Sequence, residues 1–106
     1  MTIRGTAFCF VLETEDSIEF FKQIIIPEWF SSYKKMTSFN FITLKDEDLI
    51  IDLSYIEASK FTFTTRMRLH QMLIARRDRN INLIVILQPY TLSPLLEHNF
   101  DEIITI

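Results

Sequence analysis

Apolar residues along this chain come in short, dense blocks set off by polar punctuation, and the period inside each block separates strand from helix. Residues 3 to 13 carry Phe8, Phe10 and Val11 in a run too short and too aromatic for a helix, which predicts a strand. Asp16-Ser17-Ile18-Glu19 then has the form of a helix start, with Asp16 as cap and Glu19 three residues on. Ile18, Phe21, Ile25 and Trp29 follow at helical spacing along one face. Pro27 interrupts them. Lacking an N–H, it must either kink this helix or begin a short new one over 27–35.

Phe39 to Leu44 alternates partly and predicts a strand, Lys45 to Asp48 a polar turn, and Leu49 to Leu53 a strand apolar enough to be buried on both faces. A second helix is expected from about Thr62 to Asp78. Phe63, Met67, His70 and Ile74 form one stripe on it, with Leu69, Met72 and Leu73 alongside. Leu83 to Leu87 is the most hydrophobic strand, hence central, and Gln88-Pro89 ends it. Pro94 to Glu97 opens a short helix capped by Ser93, and Ile103 to Ile106 forms a last strand. Strands alternating with helices imply one α/β domain over 1–106, with a mixed, mainly parallel sheet of about five strands. Functional surfaces in such sheets gather beyond the carboxyl ends of the strands, here near Glu13, residues 53–59 and residues 88–91.

Composition narrows the function. A chain of 106 residues, 48% hydrophobic with ten phenylalanines, is that of a single folded domain. Its one glycine, Gly5, excludes the glycine-rich phosphate loops, which need several glycines for close backbone approach. Its one cysteine, Cys9, lies in an apolar run, so an inert buried thiol and a reducing compartment are expected. That run is too short to cross a membrane and no small-residue cleavage site follows it, which points to the cytoplasm and to no membrane partner. A net charge of −3 argues against nucleic acid as a partner. Charge is unevenly spread, though. Arg66, Arg68, Arg76, Arg77 and Arg79 share one segment, while Glu13, Glu15, Asp16 and Glu19 share another. The basic segment reads either as a solvated helix face or as a docking surface for an acidic partner.

The stretch most open to chemistry is "DLIIDLSYIEASKFTFTTRM", residues 48–67, where a buried strand ends on Asp52 and hydroxyls crowd before the helix. Together with "NINLIVIL" and "LSPLLEHNFDEIITI", the order of pieces over 49–106 resembles the second half of a STAS domain. That family includes bacterial anti-sigma-factor antagonists and cytoplasmic domains of sulfate transporters. The resemblance implies a non-enzymatic regulatory module whose partner is an anti-sigma factor or a Ser/Thr kinase-like regulator. In the family an Asp-Ser-Ser/Thr-Gly-Leu segment at the helix start carries the phosphorylated serine. Here the region reads "EASKFTFTTRM", without the Asp-Ser pair or the glycine. By position Thr64 is the nearest counterpart, with Ser59, Thr62 and Thr65 beside it. A phosphate would be tolerated at a helix start, where free N–H groups and the positive dipole end meet it. Plain helix capping accounts for the same hydroxyls. On the docking reading the surface comprises the start of the second helix, residues 59–66, with the preceding turn from Asp52 to Ser54, and Arg66 and Arg68 give charge complementarity to an acidic partner.

Two alternatives remain. "DLIIDLS" also resembles the third strand of a response-regulator receiver, a flavodoxin-like fold, with Asp52 as phosphoacceptor and Glu13, Glu15 and Asp16 near its acidic pair. No lysine follows the last strand here, so that resemblance implies a degenerate, dimerising module. Asp52 is better suited to a carboxylate that accepts turn N–H bonds. A small enzyme would require Asp52, His70 and Glu13 to converge, but neither His70 nor His98 is spaced for a triad or a metal, so no catalytic residue, metal or cofactor is expected. Trp29, Phe30 and Tyr33 cluster around Pro27, either as core or as an exposed patch for a homodimer or another partner.

Overall fold

The computed structural model describes residues 5–36 and 47–106; the strand expected over 39–44 lies outside them. Five strands, β1 (Ala7–Val11), β2 (Lys34–Met36), β3 (Leu49–Asp52), β4 (Leu83–Leu87) and β5 (Glu102–Thr105), form one sheet in the order β2-β3-β4-β1-β5. Every pairing among them is parallel, in keeping with the mainly parallel sheet of about five strands expected from the sequence. Helices α1 (Glu15–Phe20) and α2 (Ile26–Trp29) follow β1, α3 (Phe63–Asp78) follows β3, and α4 (Pro94–Glu97) follows β4. No helix of the described residues is long and apolar enough to cross a membrane.

A parallel sheet must be covered on both faces, and the side-chain alternation supplies two separate cores. Ala7, Cys9, Val11, Leu49, Ile51, Leu83, Val85 and Leu87 point to the α3–α4 layer and meet Leu69, Met72, Leu73 and Leu96. Phe10, Ile50, Ile84 and Ile86 point the other way, onto Phe21 and Ile26. Cys9 is fully buried, and burial pushes its thiol pKa up to about 12, so it is inert as expected.

Local signals fared unevenly. The cap of α1 is Thr14, not Asp16: its hydroxyl accepts the Ser17 N–H at 3.1 Å, leaving Asp16 inside the first turn. Pro27 sits at the start of the short α2, which ends at Trp29 and does not reach 35. Residues Phe21–Ile25 widen into a π-helical turn, in which the Ile26 N–H reaches back five residues to Phe21 O. The wider turn makes room for the proline ring, which would otherwise press on the carbonyl four residues back. The helix stops at Trp29, and Lys34–Met36 is a strand. In α3 the inward face is Leu69, Met72, Leu73 and Arg76, while the stripe of Phe63, Met67, His70 and Ile74 lies on the outer flank. Trp29 is 66% exposed, with Phe30 and Tyr33 half-buried beneath it.

The amino ends of the strands are tied by side chains. Asn82 Oδ1 accepts the Thr6 N–H, Asp48 Oδ1 accepts the Asn82 N–H, and Asp101 Oδ2 accepts the Ala7 N–H, at 2.8, 3.1 and 2.7 Å. Arg76, read from sequence as part of a solvated basic face, is 2% exposed at this end. Its guanidinium donates to the Gly5 and Asn99 carbonyls, at 2.8 and 3.4 Å. Burial lowers its pKa, and the nearby Asp101 carboxylate opposes that fall. Gly5 is required by close approach, because a Cβ there would lie 2.5 Å from Ile81 O and 2.7 Å from Asn80 C, both backbone atoms. Gly5→Ala is therefore expected to cost about 1–3 kcal/mol of stability. Urea denaturation measures this, and a wild-type midpoint would mean that the strand start shifts freely.

Candidate functional site

Asp52 is the last residue of β3, and the alternation that sends Ile50 to the α1 side sends Asp52 there too. Across from it, the π-helical turn presents Lys22, whose Nζ lies 3.0 Å from Asp52 Oδ2. The other carboxylate oxygen accepts the Ser54 N–H at 3.0 Å and the Ser54 hydroxyl. Ser54 is itself buried, and its carbonyl accepts from Gln88 Nε2 at 2.6 Å. Four residues from three segments thus form one polar knot at the carboxyl ends of β3 and β4. A shallow groove of about 460 Å³ runs past it, lined by Glu15, Ile18, Glu19, Lys22, Ser54, Tyr55 and Gln88.

Burial alone would raise the Asp52 pKa. The Ser54 hydroxyl and N–H bonds and the Lys22 ammonium outweigh it and hold the carboxyl below its ordinary value. Asp52 is ionised at neutral pH with both oxygens engaged. Ser54 spends its hydroxyl proton on that carboxylate.

The residues before α3 are arranged differently. Thr62 is the cap, accepting the Thr65 N–H at 3.3 Å, and the two threonine hydroxyls lie 3.1 Å apart. Thr64 and Ser59 are exposed, Ser59 in a 3-10 turn over Ala58–Lys60. Arg66 turns inward: its Nε donates to Thr91 O at 3.2 Å and its guanidinium lies 5.4 Å from the centre of the Phe61 ring. Arg68 is exposed and, among the described residues, makes no hydrogen bond or ion pair. The docking surface expected from the sequence therefore divides. Asp52 and Ser54 face the α1 layer, whereas Thr62, Thr64, Thr65, Arg66 and Arg68 belong to the α3 layer.

Nor do Asp52, His70 and Glu13 meet. His70 lies on the α3 side, where Asn99 donates to its Nδ1 at 3.1 Å, and β4 separates β3 from β1. Among the described residues no group of three or more His, Cys, Asp or Glu side chains is placed to hold a metal. Lys22 gave no signal in the sequence as a site residue, since its partner lies thirty positions on; Gln88 fell in the 88–91 stretch expected to border a functional surface, but with no role of its own.

Comparison with protein-family models, curated proteins and solved structures finds no match to this chain.

A carboxyl with a depressed folded pKa adds stability above its unfolded pKa of about 3.9, and that contribution is lost as pH falls through the folded value. Asp52→Asn should therefore destabilise the protein by about 1.5–3 kcal/mol near neutral pH, where a charged hydrogen-bond acceptor is lost. The gap to wild type should close in acid, below about pH 4. Denaturation curves of both proteins across that range test the sign. A gap that does not change with pH would mean that the Asp52 charge contributes nothing.

Proposed function

We propose that this chain is a non-enzymatic regulatory module of the cytoplasm that docks a protein partner through the exposed start and outer flank of α3. The observation that carries this reading is Phe63, the first residue of α3, which is 73% exposed on a helix whose other face already fills the core. Met67 and Ile74 continue its apolar stripe, and exposed Thr64 and Arg68 stand beside it with polar and cationic groups. A large aromatic at the rim of a helix costs stability in water and gives binding energy when a partner covers it. The resemblance of residues 49–106 to anti-sigma-factor antagonists supports the same segment and suggests a partner of the anti-sigma-factor or Ser/Thr kinase-like type.

Thr64 is the hydroxyl best suited to a phosphate switch on this reading. It is exposed, it is not the cap, and the first turn of α3 carries no acidic residue to repel a phosphate. Ser59 is exposed too, whereas Thr62 and Thr65 are engaged with each other.

One contact favours a second reading. Lys22 brings an ammonium to Asp52 at the end of β3, which is what a receiver-like phosphoacceptor module lacks in the sequence order alone. Incubation with acetyl phosphate and Mg²⁺ followed by mass spectrometry decides it: phosphate on Asp52 supports this reading, and an unmodified chain removes it.

For the docking reading, wild-type, Phe63→Ala and Thr64→Glu chains are compared by quantitative pull-down from the native host, then by titration with the partner recovered. Phe63→Ala should weaken binding about tenfold or more. Thr64→Glu should abolish it. Unchanged affinity in both variants would remove α3 from the mechanism.

A further inference from the structure

The two edges of the sheet are built differently. β2 reads Lys34-Lys35-Met36, and exposed lysines on an edge oppose the addition of another strand. β5 reads Glu102-Ile103-Ile104-Thr105 and runs on into Ile106, with no lysine and no proline. Among the described residues it pairs with β1 alone.

Its backbone directions are set by neighbouring bonds. Ile106 donates its N–H to Val11 O at 2.9 Å, and its carbonyl accepts from Glu13 at 3.1 Å, so both its main-chain groups point to β1. With a period of two, Glu102 and Ile104 do the same, and Ile103 and Thr105 aim theirs at the open edge. The side chains alternate as well. Ile103 packs partly on the α3–α4 core and Ile104 partly on the α1–α2 core, so each core is left incomplete at this edge.

We infer that β5 pairs with β5 of a second copy of this chain, antiparallel, about a two-fold axis through Ile104. The register follows from the backbone. Residues with outward main-chain groups must face each other, so Ile103 meets Thr105 of the second copy, and the two such pairs exchange about four hydrogen bonds. Ile104 then lies opposite Ile104 of the second copy in a close, non-hydrogen-bonded pair, with Cα atoms about 4.5 Å apart. Glu102 faces Ile106 of the second copy, so the two Glu102 side chains do not oppose each other. A register centred on Ile103 would need the Asp101 N–H at the edge, but that group donates to Ala7 O at 2.8 Å.

The argument for a second copy over a foreign strand is this self-complementarity. A two-fold axis perpendicular to the sheet keeps both α1–α2 layers on one side and both α3–α4 layers on the other. Each incomplete core thus meets its own kind, and the contact closes at two copies. Beside the edge, on the α4 side, Val11, Leu92, Ile103, Thr105 and Tyr90 line a groove of about 430 Å³ that a neighbouring subunit would cover. Tyr90 is 93% exposed and held at φ 66°, a left-handed conformation uncommon for a non-glycine residue. The interface uses no residue of α3, so it stands or falls apart from the docking reading.

The test uses the whole chain. Ile104→Cys places two thiols across the axis, and mild oxidation should convert it to a covalent dimer on a non-reducing gel; the buried Cys9 does not compete. Glu102→Cys should form no cross-link, because its two copies lie about 13 Å apart in this register. Thr105→Pro removes an outward N–H without touching a bond to β1. It should shift the protein from dimer to monomer in sedimentation equilibrium while its circular dichroism stays that of wild type. A wild-type monomer at about 100 µM, far above typical dimer dissociation constants, would overturn the inference. So would Ile104→Cys failing to cross-link, or Glu102→Cys cross-linking equally well.

Discussion

Placing the first strand between the last two is the constraint on which the rest of this protein depends. β1 hydrogen-bonds to β4 on one side and β5 on the other, so the centre of the sheet joins residues 76 positions apart. Parallel pairing allows no tight turns, and each connection must cross a face of the sheet and cover it. Helices α1 and α2 leave β1 on one face, while α3 and α4 serve the other. Two cores result, and neither side of β1 can be exposed. The loop-closure entropy of such non-local pairing is recovered only once both layers are docked.

That placement also explains the asymmetry between the two ends of the sheet. At the amino ends the strands start close together and their backbone groups need partners. Asn82, Asp48 and Asp101 supply them, and the buried Arg76 guanidinium satisfies two carbonyls from different segments. A buried cation is tolerated because these bonds replace much of its hydration and Asp101 lies near. Gly5 belongs to the same clasp, since the chain enters β1 against the backbone of residues 80–81. A groove of about 820 Å³ opens at this end too, lined by Thr6, Arg76, Arg77, Asp78 and Asp101. The carboxyl ends carry smaller grooves, the Lys22–Asp52–Ser54–Gln88 knot and the exposed Tyr90.

The outer flank of α3 and the outer edge of β5, which has no further strand beside it among the described residues, share a physical feature: apolar groups stand next to polar ones. On α3 these are Phe63 and Met67 beside Thr64 and Arg68; on β5 they are isoleucines beside outward main-chain groups. Hydrophobic area gives such surfaces their energy and the polar groups give them register. The docking proposed for α3 and the pairing inferred for β5 use separate residues.

The sequence by itself determined the kinds of most elements; β2 at Lys34–Met36, where a helix reaching 35 was one expectation, is the exception. Density of β-branched and aromatic residues marked β1, β3 and β4, and Thr62 marked the start of α3 almost to the residue, because strand burial and helix capping are local in origin. Asp52 and its turn were legible for the same reason: a carboxylate two residues before a serine can satisfy that turn alone. What spans distance was not. Strand order, the reach of Lys22 to Asp52, the burial of Arg76 and the outward turn of the Phe63 stripe were decided by tertiary structure. Each depends on which face of an element meets another, and two helix faces of similar hydrophobicity look alike until one is covered by the sheet.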